Sequence, residues 1–347
     1  MVEKLRTILR YESELIVLVV AAVITVVLFA AFLSVEFFAP ANLQSMAIQM
    51  SGFGFLALAM GIAMLSGGID LSVVSASVLA GIAGASVVSG RFIPVTEGNG
   101  VQLALLGALT CVVVGMLCGL LNGFLIAKIS IPPILATLST MILYSGIGMA
   151  ATSGQSVPVV VPVVGDFVNA TFAGVPAVFL LLVLALAIAG FVLNRTRFGR
   201  RLYLFGENQV ALRFAGARTE RTILLSYVMI GVLVGVAGII MVARVNSART
   251  GFGESYLLQA ILVVVLAGFN PYGGRGRVGM LVIALLLLQG ISSAFNAMQL
   301  SPYFTNLVWG ALLLAVMVGN YVARQHRPRL APKPGPEPAQ SEEVGTR

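Results

Sequence analysis

At 347 residues, of which 59% are hydrophobic and only 10% charged, with a mean hydropathy of +1.01, the chain is an integral membrane protein. A soluble globular domain carries about a quarter charged residues, so composition excludes that class. The formal net charge of +8 would suit nucleic acid, but the basic residues lie in loops and tails between apolar runs, with no aromatic-interleaved patch, so no nucleic-acid partner is expected.

In chain order, residues 1–14 form a short amphipathic lead on the cytoplasmic side, with Lys4, Arg6 and Arg10. A transmembrane body, residues 15–322, follows, and residues 323–347, rich in Pro, Lys, Arg and Glu, read as a disordered cytoplasmic tail. The first apolar run, 15–33, is too long for a signal-peptide core and lacks a small-x-small cleavage site, so it reads as an uncleaved anchor. Further runs fall at 45–65, 71–88, 101–126, from the Ile131-Pro132-Pro133 break to 151, 175–193, 222–243, 256–267, 278–295 and 302–322. Most match the roughly 20 residues that a spanning helix needs. The fold class is therefore all-α, with about ten transmembrane helices and both termini cytoplasmic.

Charge tests that topology. With the N-terminus inside and ten alternating spans, the inside segments hold 18 of the 21 Lys and Arg, leaving only Arg91, Arg244 and Arg249 outside. This is the positive-inside bias. Residues 194–221 dominate it, with seven arginines (Arg195, Arg197, Arg200, Arg201, Arg213, Arg218, Arg221) against two glutamates. The middle of this loop predicts a short helix: Asn208 is a good N-cap, Val210, Ala211, Phe214 and Ala215 recur at helical spacing, and Gly216 is a stop. Such an element fits either a docking site for a soluble partner or a hinge anchored by anionic headgroups.

Much chemistry is excluded. The one histidine, His326, lies in the tail, so no His-based triad or His-rich metal site is available. Cys111 and Cys118 are seven residues apart in one apolar helix, about 10 Å along its axis, too far to bridge. None of the three lysines sits in a phosphate-binding Gly-rich loop, so no nucleotide cofactor and no enzymatic activity are expected of this chain. The spans lack the titratable relays of a proton-coupled carrier.

They contain instead small and uncharged polar residues. Gln49, Asn122, Thr137, Gln289 and Asn296 are candidates for a neutral pathway, although glue between helices explains most such groups. Glycine-rich breaks interrupt the spans. In the first, Gly67 and Gly68 end one helix, and Asp70 or Ser72 caps the next. A second, with Gly273, Gly274 and Gly276, lies on the same side, and a third runs Gly251-Phe252-Gly253-Glu254. Breaks in both halves hint at an inverted repeat.

Three stretches then carry a resemblance: Gly67-Gly68-Ile69-Asp70-Leu71-Ser72-Val73; Phe198-Gly199-Arg200-Arg201-Leu202-Tyr203-Leu204-Phe205-Gly206-Glu207-Asn208 with Ala211 and Gly216; and Gly273-Gly274-x-Gly276-x-Val278-Gly279. Together they resemble the permease subunit of bacterial ribose-type ABC sugar importers, of the branched-chain amino acid/sugar permease superfamily, a resemblance running from about residue 35 to 321. It implies two permease subunits, identical or paralogous, two cytoplasmic ATPases that carry ATP and Mg, and a periplasmic or lipid-anchored sugar-binding protein, all at the bacterial inner membrane. It also implies that Arg200, Arg201, Leu202, Gly206, Glu207, Asn208, Ala211 and Gly216 belong to an ATPase-coupling loop. Glu207 stands where that family usually has a second glycine, Phe205 where isoleucine is common, and Val74 where glycine is frequent. A branched-chain amino acid permease and an ATPase-independent carrier are the alternatives. Cysteines placed singly at residues 209–216 are expected to react with impermeant thiol reagents only from the cytoplasmic side; labelling from outside would remove the topology.

Overall fold

The computed structural model describes residues 16, 18–25, 27, 29, 35–96 and 98–325. The expected lead (1–14) and the tail beyond residue 325 lie outside the described residues. Of the expected first span, every described position from 16 to 29 is helical.

After a 3-10 turn at Val35–Phe38, α1 (Pro40–Leu65) starts on a proline, whose missing N–H costs nothing at a helix N-terminus. Helix α2 (Val73–Val88) follows the first break, then α3 (Gly100–Ala127) and α4 (Pro133–Thr152). The 152–174 loop is not plain: it contains a short helix, α5 (Pro162–Asn169), and two-residue strands β1 (Val157–Pro158) and β2 (Thr171–Phe172), with β3 (Val175–Pro176) closing β2. Helix α6 (Ala177–Arg195) enters the basic loop, which folds as α7 (Arg197–Glu207) and α8 (Gln209–Phe214). Helix α9 (Thr219–Val245), β4 (Ser247–Ala248), α10 (Ser255–Leu266), α11 (Val278–Ala297) and α12 (Pro302–Gln325) complete the order.

Among the described residues seven helices are long and apolar enough to cross a bilayer: α1, α3, α4, α6, α9, α11 and, over Pro302–Gly319, α12. Helices α2 and α10, at 16 and 12 residues, fall short of a full span. The protein is thus a multi-pass helical membrane protein whose helices fall where the apolar runs place them.

Helix α1 is the axis. Every residue from Met50 to Leu65 is buried, as expected of a helix that is apolar all round. Helices α2, α6, α9, α10 and α11 pack around it. Water plays no part in pressing helices together within lipid, so close approach of small residues carries the packing. The seam between α3 and α9 shows this. A Cβ added at Gly115 would lie 2.5 Å from the Gly231 carbonyl and 2.7 Å from the Gly235 Cα, and one at Gly119 would overlap the Tyr227 carbonyl.

The loops around 89–100, 152–174 and 244–256, all on the side expected to be outside, are knitted into one cap. Strand β1 pairs antiparallel with β4, Val159 N–H donates to the Asn246 carbonyl (3.0 Å), and Val161 packs with Val88 and Leu103. Gly119→Val is expected to force α3 off α9 and lower thermal stability in detergent by at least 1–3 kcal/mol. Gly146→Ala, where an added Cβ meets nothing within 4 Å, should be neutral or slightly stabilising, by up to about 1 kcal/mol.

Candidate functional site

The sequence placed one short helix in the basic loop; the structure has two. The additional one, α7, is capped by Thr196, whose hydroxyl accepts from Gly199 N–H (3.2 Å), and it buries Leu202. Its signal was the spacing of Phe198, Leu202, Tyr203 and Phe205, hidden among arginines. Gly199 sits against the Leu193 backbone, which turns α7 back from the end of α6. Helix α8 follows the expectation: Asn208 Oδ1 accepts from Ala211 N–H (2.9 Å), and the chain stops at Gly216, φ +76°, with Ala217 N–H donating back to the Leu212 carbonyl (3.3 Å). All seven arginines of the loop are exposed, Arg200 and Arg201 among them, as are Glu207 and Ala211.

Gly206 is where this elbow meets the membrane domain. A Cβ there would overlap the Leu65 carbonyl and the Gly274 amide, so only glycine permits the approach. Gly274 N–H donates to the Leu65 carbonyl (3.1 Å), and Tyr203 Oη donates to the Gly276 carbonyl (2.8 Å). Burial pushes the Tyr203 phenol up, opposed by Arg277. Gly67, φ +81°, lies under the same loop, its missing Cβ 3.2 Å from the Tyr272 carbonyl. Three stretches separated by more than sixty residues each therefore meet in one backbone-to-backbone joint: the end of α1, the end of α7, and the 270–277 loop, which folds onto itself through Asn270 N–H to the Arg275 carbonyl (3.0 Å).

Beside the joint lies a polar chain. Asp70 Oδ1 accepts from Ser72 N–H (2.9 Å) and Ser72 Oγ (2.7 Å). Asn122 Nδ2 donates to Ser72 Oγ (2.8 Å), and Tyr144 Oη donates to the Cys118 carbonyl (2.9 Å) with Asn122 Oδ1 at 3.3 Å. Thr137 Oγ1 accepts from Leu71 N–H (3.2 Å) and contacts the Ile69 carbonyl (3.1 Å). Asp70 thus holds the first turn ahead of α2, whereas the Ser72 side chain makes no cap bond and spends its hydroxyl on Asp70 and Asn122.

The five candidate pathway residues are not brought together. Asn122 and Thr137 brace the first break. Gln49 donates to Ser45 Oγ (3.1 Å) within α1, Gln289 donates to Ser293 Oγ (3.4 Å) within α11, and Asn296 is exposed. Two clefts flank Met241 and Phe252, one lined by Phe53, Arg244 and Tyr256 and the other by Ser77, Ser247 and Arg249; neither admits more than about one water.

The site is thus a basic elbow locked onto the helix breaks of a multi-pass helical membrane protein. The chain belongs to the family described as branched-chain amino acid transport system / permease component, which matches residues 42–317. It is similar to the autoinducer 2 import system permease protein LsrD of Photorhabdus laumondii, 31% identical over 279 residues, 79% of this chain and 81% of that one. It is likewise similar to the ribose import permease protein RbsC of Escherichia coli, 32% identical over 304 residues, 86% and 92% of the two chains. No solved structure matches the chain.

The joint separates two glycines of the elbow. Gly206→Ala must displace backbone and is expected to cut uptake in membrane vesicles at least about tenfold while the protein still inserts. Gly216→Ala meets no atom within 4 Å and carries only its left-handed strain, about 1 kcal/mol, so uptake should stay within about twofold.

Proposed function

We propose that this chain is the permease subunit of a bacterial ABC importer that moves a monosaccharide or a similar small polyhydroxylated solute across the cytoplasmic membrane. It works as a pair of permease subunits with two cytoplasmic ATPases and an extracytoplasmic binding protein. ATP and Mg reside on the ATPases, and this chain contributes no nucleotide site. The relatives named for ribose and autoinducer 2 support the solute class, and the uncharged polar groups of the helices suit a neutral hydroxylated cargo.

The observation that carries the mechanism is the exposed face of α8. Phe214 is 89% exposed and Val210 62%, at i and i+4 on a helix capped at both ends, surrounded by exposed arginines. A large apolar pair held rigidly in water at a cost is the form of a docking knob. ATPase closure that displaces α8 moves α7, and the Gly206 joint passes that movement to the end of α1 and to the 270–277 loop. A partner biases two states only through contacts that differ between them, and in this reading the contact that differs is the ATPase on α8, with the joint passing its movement on. In this reading the solute path lies between the two permease subunits; the two clefts at Met241 and Phe252 are each too narrow for a sugar.

Reconstitution with the ATPase and the binding protein tests this. Phe214→Ala is expected to reduce ATP-driven uptake at least about tenfold with the melting temperature unchanged. Undiminished uptake would remove the knob. In a panel of sugars against leucine, uptake confined to leucine would remove the solute class.

A further inference from the structure

Asp70 is an unusual residue in this bundle. It is 1% exposed, its hydrogen-bond partners are the hydroxyl and the backbone N–H of Ser72, and it lies between two apolar helices. An ionised carboxylate left in such surroundings costs several kcal/mol unless a charge or enough donors offset it. The titratable groups facing it from neighbouring helices are Cys118 on α3, Tyr144 on α4 and Tyr227 on α9, none of them a cation. Lys128, Arg275 and Arg277, in segments expected on the same side as the first break, are exposed. Burial pushes the Asp70 carboxyl up from the usual carboxylate range, against the bonds from Ser72 and Asn122.

A second, independent feature lies alongside. Tyr227 is wholly buried, and its hydroxyl has no hydrogen-bond partner. It stands at the first break, where a Cβ on Gly68 would be 3.5 Å from its oxygen, and close enough to Asp70 to feel its charge. A buried hydroxyl without a partner costs about 1–3 kcal/mol, so its retention calls for a partner in another state of the protein.

The donors already run one way. Tyr144 spends its proton on the Cys118 carbonyl, Asn122 donates to Ser72, and Ser72 donates to Asp70 Oδ1. A neutral acid extends that run by one donor, whereas a carboxylate ends it. We propose that Asp70 is a proton-binding site, and that the neutral acid latches the first helix break to α9 by donating to the Tyr227 hydroxyl when the two close on each other. The proton stays on the Asp70 oxygen not bonded to Ser72; no bond other than the hydrogen bond is made or broken. Because the joint at Gly206 lies at the same break, the latch closes where the elbow's movement arrives, a role that rests on the function proposed above.

The sign of the pH dependence follows. An acid whose value in the fold is raised stabilises the fold fully below the ordinary carboxyl range, and that contribution is lost as pH rises through the raised value. Infrared difference spectra of the purified permease, wild type minus Asp70→Asn, test protonation without reference to any solute. A carboxylic-acid carbonyl band at neutral pH that shifts in heavy water and vanishes in Asp70→Asn is expected; loss of a carboxylate band instead would overturn the proposal. In the complex with its ATPase, added ATP should move that band in wild type and leave it still in Tyr227→Phe; an equal movement in Tyr227→Phe would remove the latch. Asp70→Asn, which keeps a donor and cannot ionise, should retain uptake within about threefold and lose the wild-type decline at alkaline pH. A folded Asp70→Asn protein without uptake would show that the charge is needed, and the proposal would fail.

Discussion

The rest of the molecule depends on one contact in which no side chain takes part: the backbone of Gly206 against the Leu65 carbonyl and the Gly273–Gly274 turn. Side chains yield by changing rotamer, but peptide planes in van der Waals contact do not, so a push on α7 has nowhere to dissipate. The Gly274–Leu65 hydrogen bond and the Tyr203 bond to Gly276 pin the same joint from two further directions. What the contact joins also matters. On one side is an amphipathic helix in water; on the other is the end of α1, buried from Met50 onward and packed against helices of both halves of the chain. A displacement of the elbow thus reaches the axis of the bundle in one step.

The interior is packed as closely as the joint. Helices α3 and α9 approach backbone to backbone along Gly115, Gly119, Gly231 and Gly235, and α2 meets α9 at Gly81, whose Cβ would lie 2.8 Å from Val242. Close packing of this kind supplies dispersion where hydrophobicity supplies none. It also leaves little slack between elements. The polar chain from Tyr144 to Asp70 adds directional side-chain bonds beside the joint, and those fix how the first break sits on α3 and α4.

Local features of this architecture were legible in the sequence because their causes are local. A left-handed glycine ends α1 at Gly67, Asn208 and Gly216 bound α8, and the apolar runs coincide with the helices within a few residues. Other features were hidden for physical reasons. In a bilayer a helix is apolar all round whether it faces protein or lipid, so composition could not distinguish buried α1 from α4, whose Ile142, Leu143 and Met149 are exposed. The five polar pathway candidates share a residue type, but their helices point them at different neighbours. Helix α7 was masked because arginines fill its water-facing side. The meeting of Gly67, Gly206 and Gly273 could not be read either, because a glycine contributes to a pattern only by what it lacks, and its partner leaves no trace in the neighbouring residues.

The two halves of the chain repeat an outline without repeating its chemistry. A long helix, a glycine-bearing break with an acid, and a short apolar helix occur as α1 and α2 and again as α9 and α10, with 26 and 27 residues in the long members and 16 and 12 in the short. The first acid, Asp70, is buried and bonded to Ser72; the second, Glu254, is exposed and makes no capping bond. The break at 66–72 lies under the elbow, while the break at 251–254 lies beside β4, which joins it to the loop cap at the other end. Helices α1 and α9 pack directly on each other, so the two breaks are linked through the pair of long helices they follow. Under ten alternating spans this places one break at each face of the membrane. In the importer proposed above, a tilt of α1 against α9 would open one of these faces as it closes the other, with the buried acid at one break and the exposed acid at the other.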